Sequence, residues 1–410
     1  MMHPRALIVI LASLSMLGAL SIDTYLPALP TIAQHFSIGP AAAQQTLSAF
    51  MFGYAFMTLF YGVLSDSFGR RPVILVALVV YLFSSLGAAW APSFGWFIAF
   101  RFLQGISAGA GQVVGRAMVG DLFTGAQAQR TMSFIGMVFG IAPAVAPILG
   151  GWLQATLGWR WIFLFIAAFT FVIFIVCLRQ LPESLEPARR HPFHFKVIVA
   201  NYWSVGSHAK FVFRSLGNAF SFCGVCIYVG SAPAFVLTIL HLTVKEFAWL
   251  FIPLIGGMTL GSMLAARMSH QMCPRTIIRL GYIGMLVSAV ANVAYTALFT
   301  ASGPWAVIAP FFYCVAMAFA MPAMNVMILE MFPRTRGLTS SLQAFAFMVT
   351  FGLICGVVCP LLFGSAFYLA SGILVGVVLS VIFWFLGTSG DEGTEPADFV
   401  ATPEEIPVEL

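Results

Sequence analysis

Two ionisable side chains stand where ionisable side chains are expensive. Asp23 lies near the end of the first long apolar run, four residues before Pro27. Arg101 lies well inside a second such run, Phe94 to Phe123, FGWFIAFRFLQGISAGAGQVVGRAMVGDLF. A charge inside a hydrocarbon layer is costly unless it faces a bundle interior or a wet cavity and finds a partner. At ~1.5 Å per residue both fall within roughly 6–10 Å of the same membrane boundary, so each is the expected partner of the other. Such a pair suits proton carriage. A carboxylate away from bulk water takes up H⁺ when a nearby cation moves off and releases it when the cation returns. A static ion pair is the blander alternative. Gln104, Gly105, Ala108, Gln112 and Gly115 follow Arg101 at helical spacing, so one stripe of this helix is polar or small while the rest is lipid-like.

The chain that must hold these residues level has 410 residues, 60% hydrophobic and 8% charged, against roughly 45–50% and 25% in soluble domains. So few charges cannot clothe a soluble surface, and the composition predicts an all-α protein that crosses a membrane many times. The 41 Phe and 37 Gly suit lipid-facing bulk and close helix contacts. A net charge of +5 does not argue for nucleic acid, because the basic residues sit in short loops. Cys223-Gly-Val-Cys226 has redox-motif spacing, but it lies in an apolar run, where two small packing residues are expected. A reactive thiol needs an exposed, electropositive setting.

Twelve spans are predicted: 6–27, 43–64, 72–91, 95–121, 129–154, 160–180, 211–239, 246–268, 276–300, 304–330, 337–363 and 366–386. With the N-terminus inside, 15 Lys and Arg residues fall in cytoplasmic segments and only Arg160 and Lys245 outside, which assigns both termini to the cytoplasm. Residues 1–26 could pass for a signal peptide. Removing them would leave an odd number of spans, against the charge pattern, so they are read as the first span. The longest connection, 182–209, divides the spans six and six. The expected organisation is an N-terminal half over 1–181, a cytoplasmic loop over 182–209, a C-terminal half over 210–386 and an acidic, disordered tail over 387–410.

The sequence also resembles a known family. Gly62-Val-Leu-Ser-Asp66-Ser-Phe-Gly69-Arg70-Arg71-Pro72 fits the major facilitator signature G-x-L-x-D-x-x-G-R-R, and Arg101, Gln104 and Gly105 fit that superfamily's R-x-x-Q-G. Ser133 to Gly151 resembles its helix-five antiporter motif, with Pro143, Pro147, Gly150 and Gly151 in place but Ala142 and Ala146 where glycines are commoner. Ser21-Ile-Asp23-Thr-Tyr25-Leu-Pro27 and Gly158-Trp-Arg160-Trp-Ile-Phe163 look like the Bcr/CflA group of drug:H⁺ antiporters, as do Ser231-Ala-Pro233 and Gly337 to Gln343 in the second half. The resemblance implies the major facilitator fold, two pseudo-symmetric six-helix halves that rock about a central site in a bacterial inner membrane. It places the proton site on Asp23 with Arg101, and a cytoplasmic gate on Gly62, Asp66, Gly69, Arg70, Arg71 and Asp121. The physical reading agrees: Asp66 can cap the positive end of the eleventh helix near Gly337, while Arg70 pairs with Asp121. A plain positive-inside loop would explain Arg70 and Arg71 but not Asp66, Gly62 and Gly69.

Candidate substrate contacts are Tyr25, Gln104, Gln112, Asn218, Phe222, Tyr228, Met321 and Asn325, since aromatic and Met surfaces suit lipophilic guests. Helix packing explains most of them equally well. The expectation is a proton-coupled exporter of small amphiphilic drugs, acting as a monomer in membrane lipid, with no cofactor, metal or nucleic acid. A transporter of an endogenous nucleoside or amino acid is the rival. An enzyme or receptor would need a catalytic constellation or a soluble domain, and the two loop histidines His191 and His194 supply neither.

Overall fold

Long apolar runs leave the backbone no water to bond with, so each must satisfy its own N–H and C=O groups as helix. The computed structural model describes residues 4–190, 195–269 and 271–389, and no strand occurs among them. Ten helices are long and apolar enough to cross a membrane, and one bent pair brings the number to eleven. The N-terminal half holds helix one (Pro4–Asp23), two (Pro40–Phe68), three (Arg70–Ala89), four (Phe94–Leu122), five (Gly125–Thr156) and six (Trp159–Gln180). The C-terminal half holds helix seven (Ala209–Ser221 with Cys223–Gly230, bent by 47°), eight (Ala248–Met268), nine (Pro274–Leu298), ten (Ile308–Leu329), eleven (Arg336–Leu353) and twelve (Ala366–Thr388).

The twelfth crossing is helix four. Its 29 residues span the bundle, yet Arg101, Gln104, Gln112 and Arg116 make it less apolar than the others. Burial explains how the chain tolerates Arg101 and Gln104, because helix four packs against helices one, two and three and turns these two inward, while Gln112 is half-buried and Arg116 exposed. The molecule is therefore an all-α, twelve-helix membrane protein.

Helix boundaries differ from the predicted spans at two places. Helix one ends at Asp23, and the chain continues through a 3-10 turn, Leu26–Ala28, and a short helix, Leu29–His35. Helix eleven continues through a π-helical stretch, Ile354–Val358, into Cys359–Leu362. The connection between the halves carries a short helix, Phe195–Gly206, whose Tyr202 Oη donates to the Leu59 carbonyl of helix two at 2.7 Å. His191 and His194 lie outside the described residues, as does the acidic tail beyond Ser389.

Helix two packs against helix eleven, and helix five against helix eight. Among the described residues, two hydrogen bonds join helix two to the helix-eleven segment. Gln45 Nε2 donates to the Gly356 carbonyl at 2.7 Å, and Ser48 Oγ to the Gly352 carbonyl at 2.9 Å. Both lie at the end of the bundle away from the 62–71 loop. Helix five closes on the same end. A Cβ on Gly150 would stand 1.7 Å from the Thr24 carbonyl oxygen, and one on Gly151 would stand 2.0 Å from that of Val244. Only glycine allows helix five to touch helix one on one side and the other half on the other. The two halves are therefore shut together at the end that the charge count assigns to the outside.

Candidate functional site

Arg101 is fully buried, and its guanidinium is held by rings and neutral acceptors. Its Cζ lies 4.2 Å from the Tyr25 ring centroid, 4.7 Å from that of Phe50 and 5.9 Å from that of Phe163. Nη1 donates to Gln104 Oε1 at 2.8 Å and Nη2 to the Ser21 carbonyl at 3.1 Å, while Nε has no partner. Helix four supplies Arg101 and Gln104 one turn apart, so the side chains meet. Gln104 Nε2 then donates to Ser85 Oγ at 2.7 Å, which ties the cation to helix three.

Asp23 is 5% exposed, and its carboxyl makes no hydrogen bond or ion pair among the described residues. The pairing expected from helix depth is absent. Asp23 and Arg101 are on neighbouring helices, but the guanidinium is engaged two residues further along, by Tyr25. Depth fixes height along the membrane normal and says nothing of azimuth, and the 3-10 turn after Asp23 carries Tyr25 rather than the carboxylate over the cation. Tyr25 is sealed, and its Oη lies 3.3 Å from Thr46 Oγ1. The main chain beside Asp23 is itself fixed, because the Thr24 carbonyl is where Gly150 of helix five makes its closest approach.

The remaining N-terminal candidates are structural struts in this conformation. Gln104 is sealed between Arg101 and Ser85, and Gln112 Oε1 accepts from Tyr54 Oη of helix two at 2.6 Å. Helix six contributes what the motif Trp159–Phe163 carried without showing its use. Phe163 forms part of the wall around Arg101, and Phe97 stands edge-on to it at 5.4 Å. Phe50 and Ser21 were missed because apolar and small residues give no sequence signal of their own.

In the C-terminal half, Tyr228 is buried and its Oη accepts from Asn292 Nδ2 of helix nine at 3.0 Å. Asn218 Nδ2 donates to Asn325 Oδ1 at 3.0 Å, and Gln343 Nε2 donates to the same oxygen at 2.6 Å. The structure thus unites two of the candidates and adds Gln343. Phe222 packs on Phe347 with centroids 5.0 Å apart, and Met321 is half-buried. Cys223 and Cys226 are buried free thiols, as expected for packing residues.

The loop between helices two and three holds a charge cluster within one half. Arg70 Nη1 donates to Asp66 Oδ1 and, at 2.6 Å, to Ser65 Oγ, and Arg70 Nε donates to Asp121 Oδ2 at 3.1 Å. Asp66 reaches neither Gly337 nor helix eleven, because the halves meet at the opposite end; its side chain is 45% exposed. Gly69, at φ +98°, makes the reversal between the helices. Glu183, which sequence reasoning passed over, accepts from the backbone N–H groups of Arg70 and Arg71 at 2.9 and 3.2 Å. It caps the positive end of helix three from the far side of helix six. Arg71 Nη2 donates to the Leu178 carbonyl at 2.7 Å, and Gly62 has open space around it. Pro143 and Pro147 lie inside helix five, which runs unbroken to Thr156.

An apolar cleft of about 580 Å³ between helices eight, nine and ten is lined by none of the candidate residues and lies apart from this site.

Residues 11–349 match the Major Facilitator Superfamily. A bicyclomycin resistance protein homologue of Haemophilus influenzae is 28% identical over 382 residues, covering 93% of this chain and 96% of that protein. The multidrug transporter MdfA of Escherichia coli O157:H7 is 27% identical over 275 residues, covering 66% of this chain and 67% of that protein. Among solved structures, a D-xylose-proton symporter superposes with a TM-score of 0.75 at 15% identity over 93% of this chain and 98% of the symporter. A bacterial homologue of the human lysosomal transporter Spinster, inward-facing and occupied, superposes with a TM-score of 0.74 at 18% identity over 97% of this chain and all of that one.

Proposed function

Because the chain belongs to the major facilitator superfamily, whose members are transporters and not enzymes, we propose that it exports small amphiphilic drugs across the bacterial inner membrane by alternating access, driven by protons. One observation carries the coupling: among the described residues Arg101 is a sealed cation with no anion, and Asp23, on the adjoining helix, is a buried carboxyl with no cation. Two such groups can exchange states. An isolated carboxyl away from water is held most cheaply as the neutral acid, and a guanidinium brought beside it favours the anion. Movement of helix one against helix four would therefore load and release H⁺.

The closed far end fits the conformation that opens to the cytoplasm, in which both termini lie inside. In the opposite conformation the loop ends approach, and half-exposed Asp66 comes within reach of helix eleven. The drug class rests on the names of the relatives and on the mixed aromatic and amide lining. Susceptibility profiling of cells with and without the protein tests it. Raised tolerance to several unrelated lipophilic drugs supports export, and an unchanged profile with uptake of a nucleoside or amino acid contradicts it.

A further inference from the structure

Helices seven, ten and eleven each present an amide and, one turn deeper toward the membrane centre, an apolar side chain. The pairs are Asn218 with Phe222, Asn325 with Met321, and Gln343 with Phe347. The amides converge on one atom: Asn325 Oδ1 accepts from Asn218 Nδ2 at 3.0 Å and from Gln343 Nε2 at 2.6 Å. This double acceptance leaves Asn218 Oδ1, Asn325 Nδ2 and Gln343 Oε1 outside the shared bonds. Among the described residues, Asn325 Nδ2 and Gln343 Oε1 have no partner and are not sealed, whereas Asn218 Oδ1 is sealed and has no donor. The cluster therefore offers one donor and one acceptor on adjacent helices and is short of a donor itself. Arg214, one turn toward the loop end, is committed to the Gly387 and Met327 carbonyls.

We propose that this triad recognises a neutral carboxamide or lactam in the transported molecule. The ligand C=O accepts from Asn325 Nδ2, its N–H donates to Gln343 Oε1, and its apolar body lies against Phe222 and Phe347. The inference rests on the export reading and names a substrate class for it. An ester of the same shape offers the C=O but not the N–H and leaves Gln343 Oε1 facing apolar surface, which discriminates more strongly than a missing methylene does.

The test is equilibrium binding to the full-length protein in nanodiscs, with benzanilide and its isosteric ester phenyl benzoate as probes. Benzanilide is expected to bind about tenfold more tightly than the ester. Gln343→Met should bring the ratio of the two affinities close to one, whereas Asn325→Asp, which removes the donor to the C=O that both probes carry, should weaken both probes and leave the ratio largely unchanged. Asn325→Asp keeps an oxygen that can gather the other two amides and puts a second, ionisable oxygen in place of the free N–H donor. Equal binding of the two probes to the unaltered protein, a ratio that survives Gln343→Met, or unchanged binding of both probes to Asn325→Asp overturns the proposal. Proton-driven uptake of tetraphenylphosphonium, which has no amide, is measured separately in proteoliposomes of the unaltered protein. Its absence counts against export and leaves the amide preference standing.

Discussion

The Arg101 guanidinium stacks on the Tyr25 ring at 4.2 Å and forms no ion pair with Asp23 two residues earlier. The cation is thereby stored without an anion. It is solvated instead by three aromatic faces, an amide oxygen and a main-chain carbonyl.

This storage makes the ring as necessary as the charge. A desolvated cation–π contact is worth about 2 kcal/mol, which corresponds to roughly a 30-fold effect. Tyr25→Leu should therefore depress proton-driven efflux by at least about tenfold, while Tyr25→Phe, which keeps the ring over the cation and gives up the hydroxyl with its 3.3 Å contact to Thr46, should stay much closer to the parent rate. Arg101→Lys keeps the charge but loses the planar stack and should fall with Tyr25→Leu. Initial rates in inverted vesicles measure all three. Full activity of Tyr25→Leu would reduce the stack to packing.

Closure of the far end depends on bare glycine surfaces. A Cβ on Gly356 would stand 3.1 Å from that of Ser48, a few tenths of an ångström short of the ~3.5–4.5 Å span of a disulfide, which a small backbone shift restores. Ser48→Cys with Gly356→Cys should crosslink on mild oxidation and stop transport, and reduction should restore it. Adding Gly151→Ala, whose new methyl meets the Val244 carbonyl, should lower the crosslink yield several-fold. Gly140→Ala, with nothing within 4 Å, should leave the yield as it was. Equal yields in both would mean that helix five does not govern closure.

The loop cluster separates into a cap and a switch. Glu183→Ala removes the cap on helix three and should lower stability by about 0.5–2 kcal/mol, read as a reduced Tm with drug affinity kept. Asp66→Asn leaves that cap intact. It should slow turnover a few-fold, because an exposed ion pair is worth only about 0–1 kcal/mol, again with affinity kept. Loss of drug binding in Asp66→Asn would assign the loop to the site instead of the gate.

Twelve helices were legible in the sequence because hydrophobic length and flanking charge report on the bilayer, which acts on every span alike. The Arg101 environment was legible only in part. Helical spacing showed that Gln104 shares its face, but no periodicity reveals which residue of the 21–27 segment turns toward the cation after the helix ends at Asp23. Gln343 was hidden for a different reason. A single amide in a polar-looking helix start is unremarkable until Asn218 and Asn325 are seen to meet it in space. Glu183 likewise looked like one more charge in a linker, since a cap is recognised by the helix it faces across the fold and not by its neighbours in sequence.

The proposed role of Asp23 as the proton carrier is tested most directly by Asp23→Asn in proteoliposomes with an imposed pH gradient, following drug and proton movement together. An amide keeps the shape of the side chain but cannot exchange a proton. Drug binding is expected to remain within a few-fold of the parent, while drug accumulation against its gradient and drug-induced proton release are both lost. Accumulation that continues in step with proton flow in the Asn variant would contradict the assignment and require the proton to travel elsewhere.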